Sequence, residues 1–134
     1  MTIDPRSLSQ QAYQELVKLK EILSEKDRKK ASGLIQGLPS YVATWGLYRL
    51  SGDAKKFTNG TAENTLYKGK VYYQFLSSLA NKKLTGFDFD PKDEGALLNM
   101  ASLRDYTALN HFAMQLAKEW SFWTASVLGE PEVE

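Results

Sequence analysis

The chain has one histidine, and its neighbours decide whether histidine chemistry is available. His111 lies beside Phe112, and the residues three and four positions further on, Met114 and Gln115, are poor metal ligands. General-base catalysis would also need a nucleophile or a substrate pocket, and the sequence indicates neither. We therefore predict a structural or surface role for His111.

The densest acidic cluster consists of Asp88, Asp90, Asp93 and Glu94. Calcium-binding loops carry Asp or Asn at alternating positions, as residues 88 and 90 do here, but they also need Gly at the sixth position and Glu at the twelfth. The sixth residue of this stretch is Asp and the twelfth is Asn99. We interpret the cluster as helix-capping acids on a solvated loop, with a small metal-dependent enzyme as the alternative.

Motifs that mark an active site are missing from the sequence. It contains no GxxxxGK[ST], GxSxG, HExxH or GxGxxG, which are the patterns of phosphate loops, serine hydrolases, zinc proteases and dinucleotide-binding folds. The chain also has no cysteine, which excludes disulfides, thiolate metal sites and cysteine nucleophiles. We therefore predict a protein that is not an enzyme and that needs no cofactor, metal or small-molecule substrate.

The remaining candidate functional residues are basic and lie in the middle of the chain. Residues 18–83 contain thirteen Lys and Arg against five Asp and Glu, net +8, whereas residues 1–17 are net −1 and residues 84–134 are net −6. Lysine and arginine bind phosphates without reading sequence, so we predict a polyanion-binding surface. Opposite charges could also join copies of the chain. The candidate binding residues are Lys26, Arg28, Lys29, Lys30, Arg49, Lys55, Lys56, Lys68 and Lys70, and Lys82 and Lys83 extend the basic stretch.

Aromatic residues are interleaved with these basic residues, as they are in proteins that stack the bases of single strands. Most of them recur at helical spacing, so we expect them to belong to the core instead. They are Trp45, Tyr48, Phe57, Tyr67, Tyr72 and Tyr73.

Apolar residues recur every three or four positions through most of the chain, which predicts helices. We expect Gly46 to lie inside the third helix. Glycine there destabilises the helix by roughly 1 kcal/mol relative to alanine, and we expect the reason for it to be the close approach of another helix. Residues 54–60 are predicted to be a polar loop, and residues 85–90 a loop that Phe87 and Phe89 hold against the core. The second predicted helix begins either within the charged run 26–30 or just after it, and it ends at Gly37. The other predicted helices span Pro5 to about Glu25, Pro39 to about Leu50, Thr61 or Asn64 to about Asn81, Pro91 to about Ala101, and Leu103 to about Leu128.

These helices predict an all-α protein, a single-domain bundle of about five to six helices over residues 1–129. Residues 130–134 form an acidic tail that we expect to fray. The polar N-terminus does not resemble a signal peptide, and no apolar run reaches the roughly 20 residues that span a bilayer. We therefore expect a cytoplasmic protein without a membrane partner.

Two stretches resemble the small α-helical subunit of type III-B CRISPR effector complexes, the Cmr small-subunit family. The first is Leu38-Pro39 followed by the pattern Trp45-Gly46-Leu47-x-x-Leu50, and the second is the closing helix from Leu103 to Trp120. The order of the helices over residues 8–128 agrees as well. Trp45 departs from the family pattern, in which a small polar residue, commonly asparagine, is expected. This departure suits a divergent branch or another type III subtype.

The resemblance implies a role without catalysis. Such subunits stack along an RNA-guided complex beside a large polymerase-like subunit, and they present basic surfaces to the backbone of the guide RNA and the target RNA. The expected partners are therefore the other subunits of a type III complex, further copies of this chain, and the two RNAs. The alternative is a helical protein–protein adaptor whose basic stretch docks an acidic partner and has no role with nucleic acid.

Overall fold

Helices form the whole framework of the chain. A computed structural model describes residues 6–60, 62–81 and 85–131. These residues form no β-strand, which confirms the predicted all-helical, single-domain bundle. A short 3₁₀ turn, Glu63–Thr65, precedes the fifth helix. The helices are α1 (Arg6–Ile22), α2 (Glu25–Gln36), α3 (Leu38–Trp45), α4 (Leu47–Asn59), α5 (Leu66–Leu79) and α6 (Leu103–Leu128).

The long helix α6 is the element against which most of the bundle packs. It contacts α1, α2 and α3, while α4 packs on α5, and α5 in turn contacts α1 and α2. The apolar stripe of α6 predicted from its spacing is fully buried at Leu109, Leu116 and Trp120. The Trp120 indole meets the Phe75 ring of α5 edge to face, at 5.1 Å between centroids. The core therefore lies between α6 and α5, with α1 and α2 closing its sides.

Serine side chains cap two of the helices, and the cap at Ser102 confirms the predicted start of the last helix. The Ser24 hydroxyl accepts a hydrogen bond from the Asp27 amide, and the Ser102 hydroxyl accepts one from the Asp105 amide, both at 3.2 Å. These bonds satisfy backbone donors that a helix start leaves unpaired. The charged run 26–30 consequently lies inside α2 and does not break it.

The expectation that Gly46 lies inside a helix is wrong. Its backbone, at φ 81° and ψ 168°, is in a region that only glycine adopts readily, and it separates α3 from α4. Side chains of α6 take over the start of α4, because Asn110 Oδ1 accepts from the Leu47 amide at 3.0 Å and the Tyr106 hydroxyl accepts from the Tyr48 amide at 3.2 Å. The predicted single helix is therefore two helices that meet at a corner held by α6.

The predicted polar loop at residues 54–60 is also wrong, because α4 continues to Asn59. Its buried residues Leu47, Leu50 and Ala54 keep the three- and four-residue spacing of one helix face, and burial of that face outweighs the local loop signals. The next helix starts at Leu66, later than predicted. Thr61, one of its two proposed caps, lies outside the described residues, and the other, Asn64, lies in the 3₁₀ turn.

The helix predicted at residues 91–101 is replaced by a series of turns over residues 91–99. The carboxylates of Asp90 and Asp93 accept hydrogen bonds from the amides of Lys92 and Gly95, each at 2.9 Å. Such short-range bonds offer the backbone an alternative to helical hydrogen bonding. The acids predicted to cap a helix therefore stabilise turns instead.

The prediction for the segment before these turns is confirmed. Residues 87–90 have no regular secondary structure, and Phe87 and Phe89 are half-buried against the core. The Thr85 hydroxyl accepts from the Phe87 amide at 3.1 Å and donates to the Leu79 carbonyl at 2.9 Å. These bonds tie the segment to the end of α5. Of the predicted acidic tail, Glu130 and Pro131 are described, and residues 132–134 lie outside the described part of the chain.

One carboxylate, that of Glu15, is buried in the helix bundle. It is 2% exposed, and it accepts hydrogen bonds from the Trp120 indole N–H at 3.1 Å and from the Gln11 side-chain amide at 3.0 Å. Burial raises the pKa of Glu15, while hydrogen bonds from Ser78, Gln11 and Trp120 act against that rise. The carboxylate thus joins α1 to α6 from inside the bundle.

The corner at Gly46 generates a prediction with opposite signs at two glycines. We expect Gly46→Ala to destabilise the fold by about 1–3 kcal/mol, because the new Cβ would be strained and 3.0 Å from the Tyr106 hydroxyl. Gly52→Ala is the control, since Gly52 lies inside α4 and a Cβ added there would have no atom within 4 Å. Urea unfolding should show that Gly52→Ala stabilises the fold by about 0.5–1 kcal/mol. Equal effects of the two substitutions on the free energy of unfolding would contradict the positive-φ turn at Gly46.

Burial of Glu15 predicts a pH dependence of stability. Because its pKa is raised in the fold, the folded state holds the carboxyl proton more tightly than the unfolded state. The stabilisation is complete below the ordinary pKa of 4.5 and is lost as the pH rises through the raised value. In urea unfolding between about pH 4 and pH 8, the stability of wild type relative to Glu15→Gln should fall with rising pH. A constant difference across that range would show that Glu15 is not the responsible group.

Candidate nucleic-acid interface

The described residues contain no group of three or more His, Cys, Asp or Glu side chains arranged to hold a metal ion. His111 lies exposed on α6, which is one of the two placements predicted for it. None of the helices described is long and apolar enough to cross a membrane.

Three of the predicted basic residues, from two helices far apart in sequence, meet at one groove. Lys29 and Lys30 of α2 and Lys68 of α5 line it together with Tyr67 and Pro131. The groove has a volume of about 260 Å³. It forms because the opposite face of α2 is buried against the bundle and α2 packs beside α5, which brings the first turn of α5 next to the middle of α2. Three lysine side chains from two helices thus line one concave surface.

The Phe57 ring connects this groove to α4. The ammonium nitrogen of Lys68 lies 5.1 Å from the ring centroid and that of Lys56 lies 5.7 Å from it. Both distances are within the range in which a cation is attracted to an aromatic face. Phe57 itself is half-buried and contacts Tyr72 of α5. A core aromatic therefore places Lys56 and Lys68 on the same part of the surface.

A fifth cation follows along α4. Arg49 precedes Lys56 by seven residues, which puts the two on one face of the helix about 10 Å apart along its axis. The guanidinium carbon of Arg49 lies 4.5 Å from the centroid of the Trp45 ring. Asp53 lies between the two cations in sequence, and its carboxylate accepts a hydrogen bond from the Tyr41 hydroxyl. Burial, followed by this bond to Asp53, raises the pKa of Tyr41, so the hydroxyl stays protonated and keeps donating.

These five cations form a connected surface over α2, α5 and α4. We refer to it as the basic track, and it consists of Lys29, Lys30, Lys68, Lys56 and Arg49. Two acids neighbour it: Glu130, exposed beside Pro131 at the groove end, and Asp53, which lies between Arg49 and Lys56 on the same face of α4. The track is therefore predominantly, though not uniformly, positive.

Two predicted binding residues have structural partners at the end of α1. The guanidinium Nε of Arg28 donates to the Lys20 carbonyl at 3.0 Å, and the Lys70 ammonium group donates to the Ile22 carbonyl at 3.5 Å. The last carbonyls of a helix lack partners within it, and cations are favourable at that end. Sequence spacing gives no sign of this role, because both cations reach α1 from other helices.

The other predicted basic residues lie apart from the track. Lys55 pairs with Glu94 in the turn segment, at 3.9 Å between nitrogen and oxygen. Lys26 is exposed in the first turn of α2, on the turn before the groove residues. Lys82 and Lys83 lie outside the described residues. The structure thus brings together about half of the residues that the sequence proposed.

The prediction that the interleaved aromatics belong to the core holds for four of the six. Tyr72 is buried, and Phe57, Tyr67 and Tyr73 are half-buried against the core. It is wrong for Trp45 and Tyr48, which are 48% and 42% exposed. Both flank the corner at Gly46, where the backbone turn takes them off the buried helix face. A continuous helix, as the sequence predicted, does not contain such a corner.

Leu98, Leu103 and Phe122 are the most exposed of the large apolar side chains in the described residues. Leu98 and Leu103, 65% and 78% exposed, line a cleft of about 220 Å³ beside Tyr48. On the α1–α6 side, Phe122 is 71% exposed, and its ring packs edge to face on Trp123.

Comparison with known proteins gives no significant match to a protein-family model, to a curated protein or to a solved structure. The resemblance to the CRISPR small subunits therefore stays a hypothesis drawn from the sequence. Most residues that carry it are core residues, since Leu38, Leu47 and Leu50 are at most 1% exposed and Trp120 is fully buried. The shared pattern consequently describes how helices pack, and any binding function depends on the surface.

Proposed function

We propose that this chain is a non-catalytic RNA-binding protein that holds a phosphate backbone on the basic track. The observation that carries the proposal is the convergence of Lys29, Lys30 and Lys68, from two helices, on one groove. A row of phosphates needs cations placed side by side, and Lys68 adds to Lys29 and Lys30 a cation from a helix far away in the sequence. Contacts to phosphate alone give affinity without sequence preference.

Charge distribution supports the same proposal. The net charge of the chain is only +1, so a polyanion would be attracted to a local surface and not to the molecule as a whole. The acidic residues of the turn segment, Asp90, Asp93 and Glu94, lie outside the track, where the carboxylates of Asp90 and Asp93 bind backbone amides and Glu94 pairs with Lys55. An elongated anion would therefore be oriented along α4 and α5 and kept away from the turns.

The more specific proposal is a structural subunit of a type III CRISPR effector complex. Its support is the resemblance over residues 8–128 and the order of the helices. In this role the track follows the guide–target RNA backbone, while the exposed apolar residues Leu98, Leu103 and Phe122 contact neighbouring subunits or further copies of the chain. Catalysis would belong to other subunits of the assembly.

A protein–protein adaptor is the second candidate function, and the two exposed apolar patches favour it. Leu98 and Leu103 together leave large aliphatic side chains in water next to the cleft at Tyr48, and docking of a partner would cover them. The two functions differ in their response to nuclease. A partner that stays bound after RNA digestion supports the adaptor, and one that is released supports an RNA-mediated assembly.

The RNA-binding proposal predicts that charge position matters more than net charge. We compare a variant in which Lys29, Lys30 and Lys68 are replaced by Gln with a control in which Lys55, Lys92 and Lys118 are replaced by Gln. Each variant loses three positive charges from a wild-type net charge of +1, so the two variants have the same net charge. In fluorescence anisotropy, wild type should bind two RNAs of unrelated sequence with similar affinity. The magnitude of the slope of log affinity against log salt concentration should fall by about 2 in the track variant and stay unchanged in the control variant.

Three outcomes would contradict the proposal. Wild type could show no salt-dependent binding, the two triple variants could weaken binding equally, or one of the two RNAs could be bound far more tightly than the other. Equal weakening would show that general attraction and not the groove is responsible. Circular dichroism of each variant serves as the folding control, because all six lysines are on the surface or half-buried.

A further inference from the structure

We propose that Trp45 and Arg49 form a stacking site for one unpaired base of the strand bound on the basic track. This inference rests on the proposed RNA-binding function and adds to it the state of the ligand, which is single-stranded at this end of the track. The site lies at the corner between α3 and α4, where the backbone turns at Gly46.

The Trp45 ring has the surroundings of a stacking platform. The Arg49 guanidinium lies over the ring at 4.5 Å from its centroid, and 48% of the side chain is nevertheless exposed. Covering the exposed part of the indole would remove apolar surface from water, which is favourable. A base that packs on the exposed part of the ring would form a layered arrangement with the cation, and both stacking and cation–π attraction would stabilise it.

The face of α4 between this platform and the groove carries Gly52 and Asp53, and the Tyr41 hydroxyl donates to the Asp53 carboxylate. Gly52 lies three residues after Arg49 and four before Lys56, on the same face of α4, and no atom lies within 4 Å of the position of a Cβ there. Glycine inside an exposed helix destabilises it by about 0.5–1 kcal/mol relative to alanine. No packing contact explains this glycine, but a ligand backbone that passes close to the helix does. The cations on either side of Gly52 would then contact successive phosphates.

The geometry favours a single strand over a duplex. Bases in a duplex are stacked on one another and cannot lie on a protein ring, whereas an unpaired base can do so whatever its identity. Aromatic platforms joined to a basic groove are the usual means by which proteins bind single strands without sequence preference. Tyr48, although exposed, is not part of this platform, because it lines the apolar cleft with Leu98 and Leu103.

The test compares two ligands and three variants. The ligands are a fluorescent oligouridylate of about 12 nucleotides and an RNA duplex of the same length, within the usual range of single-strand site sizes. The variants are Trp45→Leu, Trp45→Phe and, as a control, Phe122→Leu, which removes an aromatic ring that is 71% exposed on α6. We expect Trp45→Leu to weaken oligouridylate binding by about 5- to 100-fold, with duplex binding unchanged. Trp45→Phe should retain most of the affinity, and Phe122→Leu all of it.

The results separate this inference from the function on which it rests. If Trp45→Leu binds oligouridylate as wild type does, while the triple lysine variant of the track is weakened, the stacking site is wrong and RNA binding stands. Equal losses for Trp45→Leu and Trp45→Phe, or equal losses with both ligands, would also overturn stacking. If the triple lysine variant is not weakened either, the proposed function fails together with the inference.

Discussion

The hydrogen bond from the Trp120 indole to the buried Glu15 carboxylate is the contact on which the arrangement of the helices depends. Both partners lie out of reach of solvent, since Glu15 is 2% exposed and Trp120 fully buried, and a buried donor left without a partner costs about 1–3 kcal/mol. The hydrogen bond fixes α1 against α6, while the edge-to-face contact of Trp120 with Phe75 fixes α5 on the same residue. The Trp120 side chain therefore contacts both α1 and α5. Because Lys68 is a residue of α5, its position depends on the same contacts.

A second constraint acts at the surface. The positive φ of Gly46 and the bonds from Tyr106 and Asn110 to the first amides of α4 turn the chain at a fixed point. That turn exposes Trp45 and directs α4 along the bundle, so that Arg49 and Lys56 share a face. The proposed interface is thus a consequence of packing at two places: Trp120 in the core decides where the groove lies, and the corner decides where the platform lies.

The functional proposals separate the surface into regions with different chemistry. Cations from three helices form the track, acids occupy the turns at residues 88–94, and exposed apolar side chains occupy two other places. Arg28 and Lys70, although basic, bind the carbonyls that end α1, so basic charge in the sequence is divided between stabilising the fold and forming the interface. This division explains why a charge count alone overstates the size of the proposed RNA site.

The sequence by itself determined the all-helical class, the start of the last helix after Ser102, and the buried stripe of α6, because each follows from residues within one or two helical turns of one another. It predicted wrongly at Gly46, at residues 54–60 and at residues 91–101. There, contacts from distant residues or short carboxylate-to-amide bonds outweigh local propensity. Only the tertiary structure decided which lysines meet, since Lys29 and Lys68 are joined through the packing of α2 on α5. Sequence spacing carries no information about the relative position of two helices that are far apart in the chain.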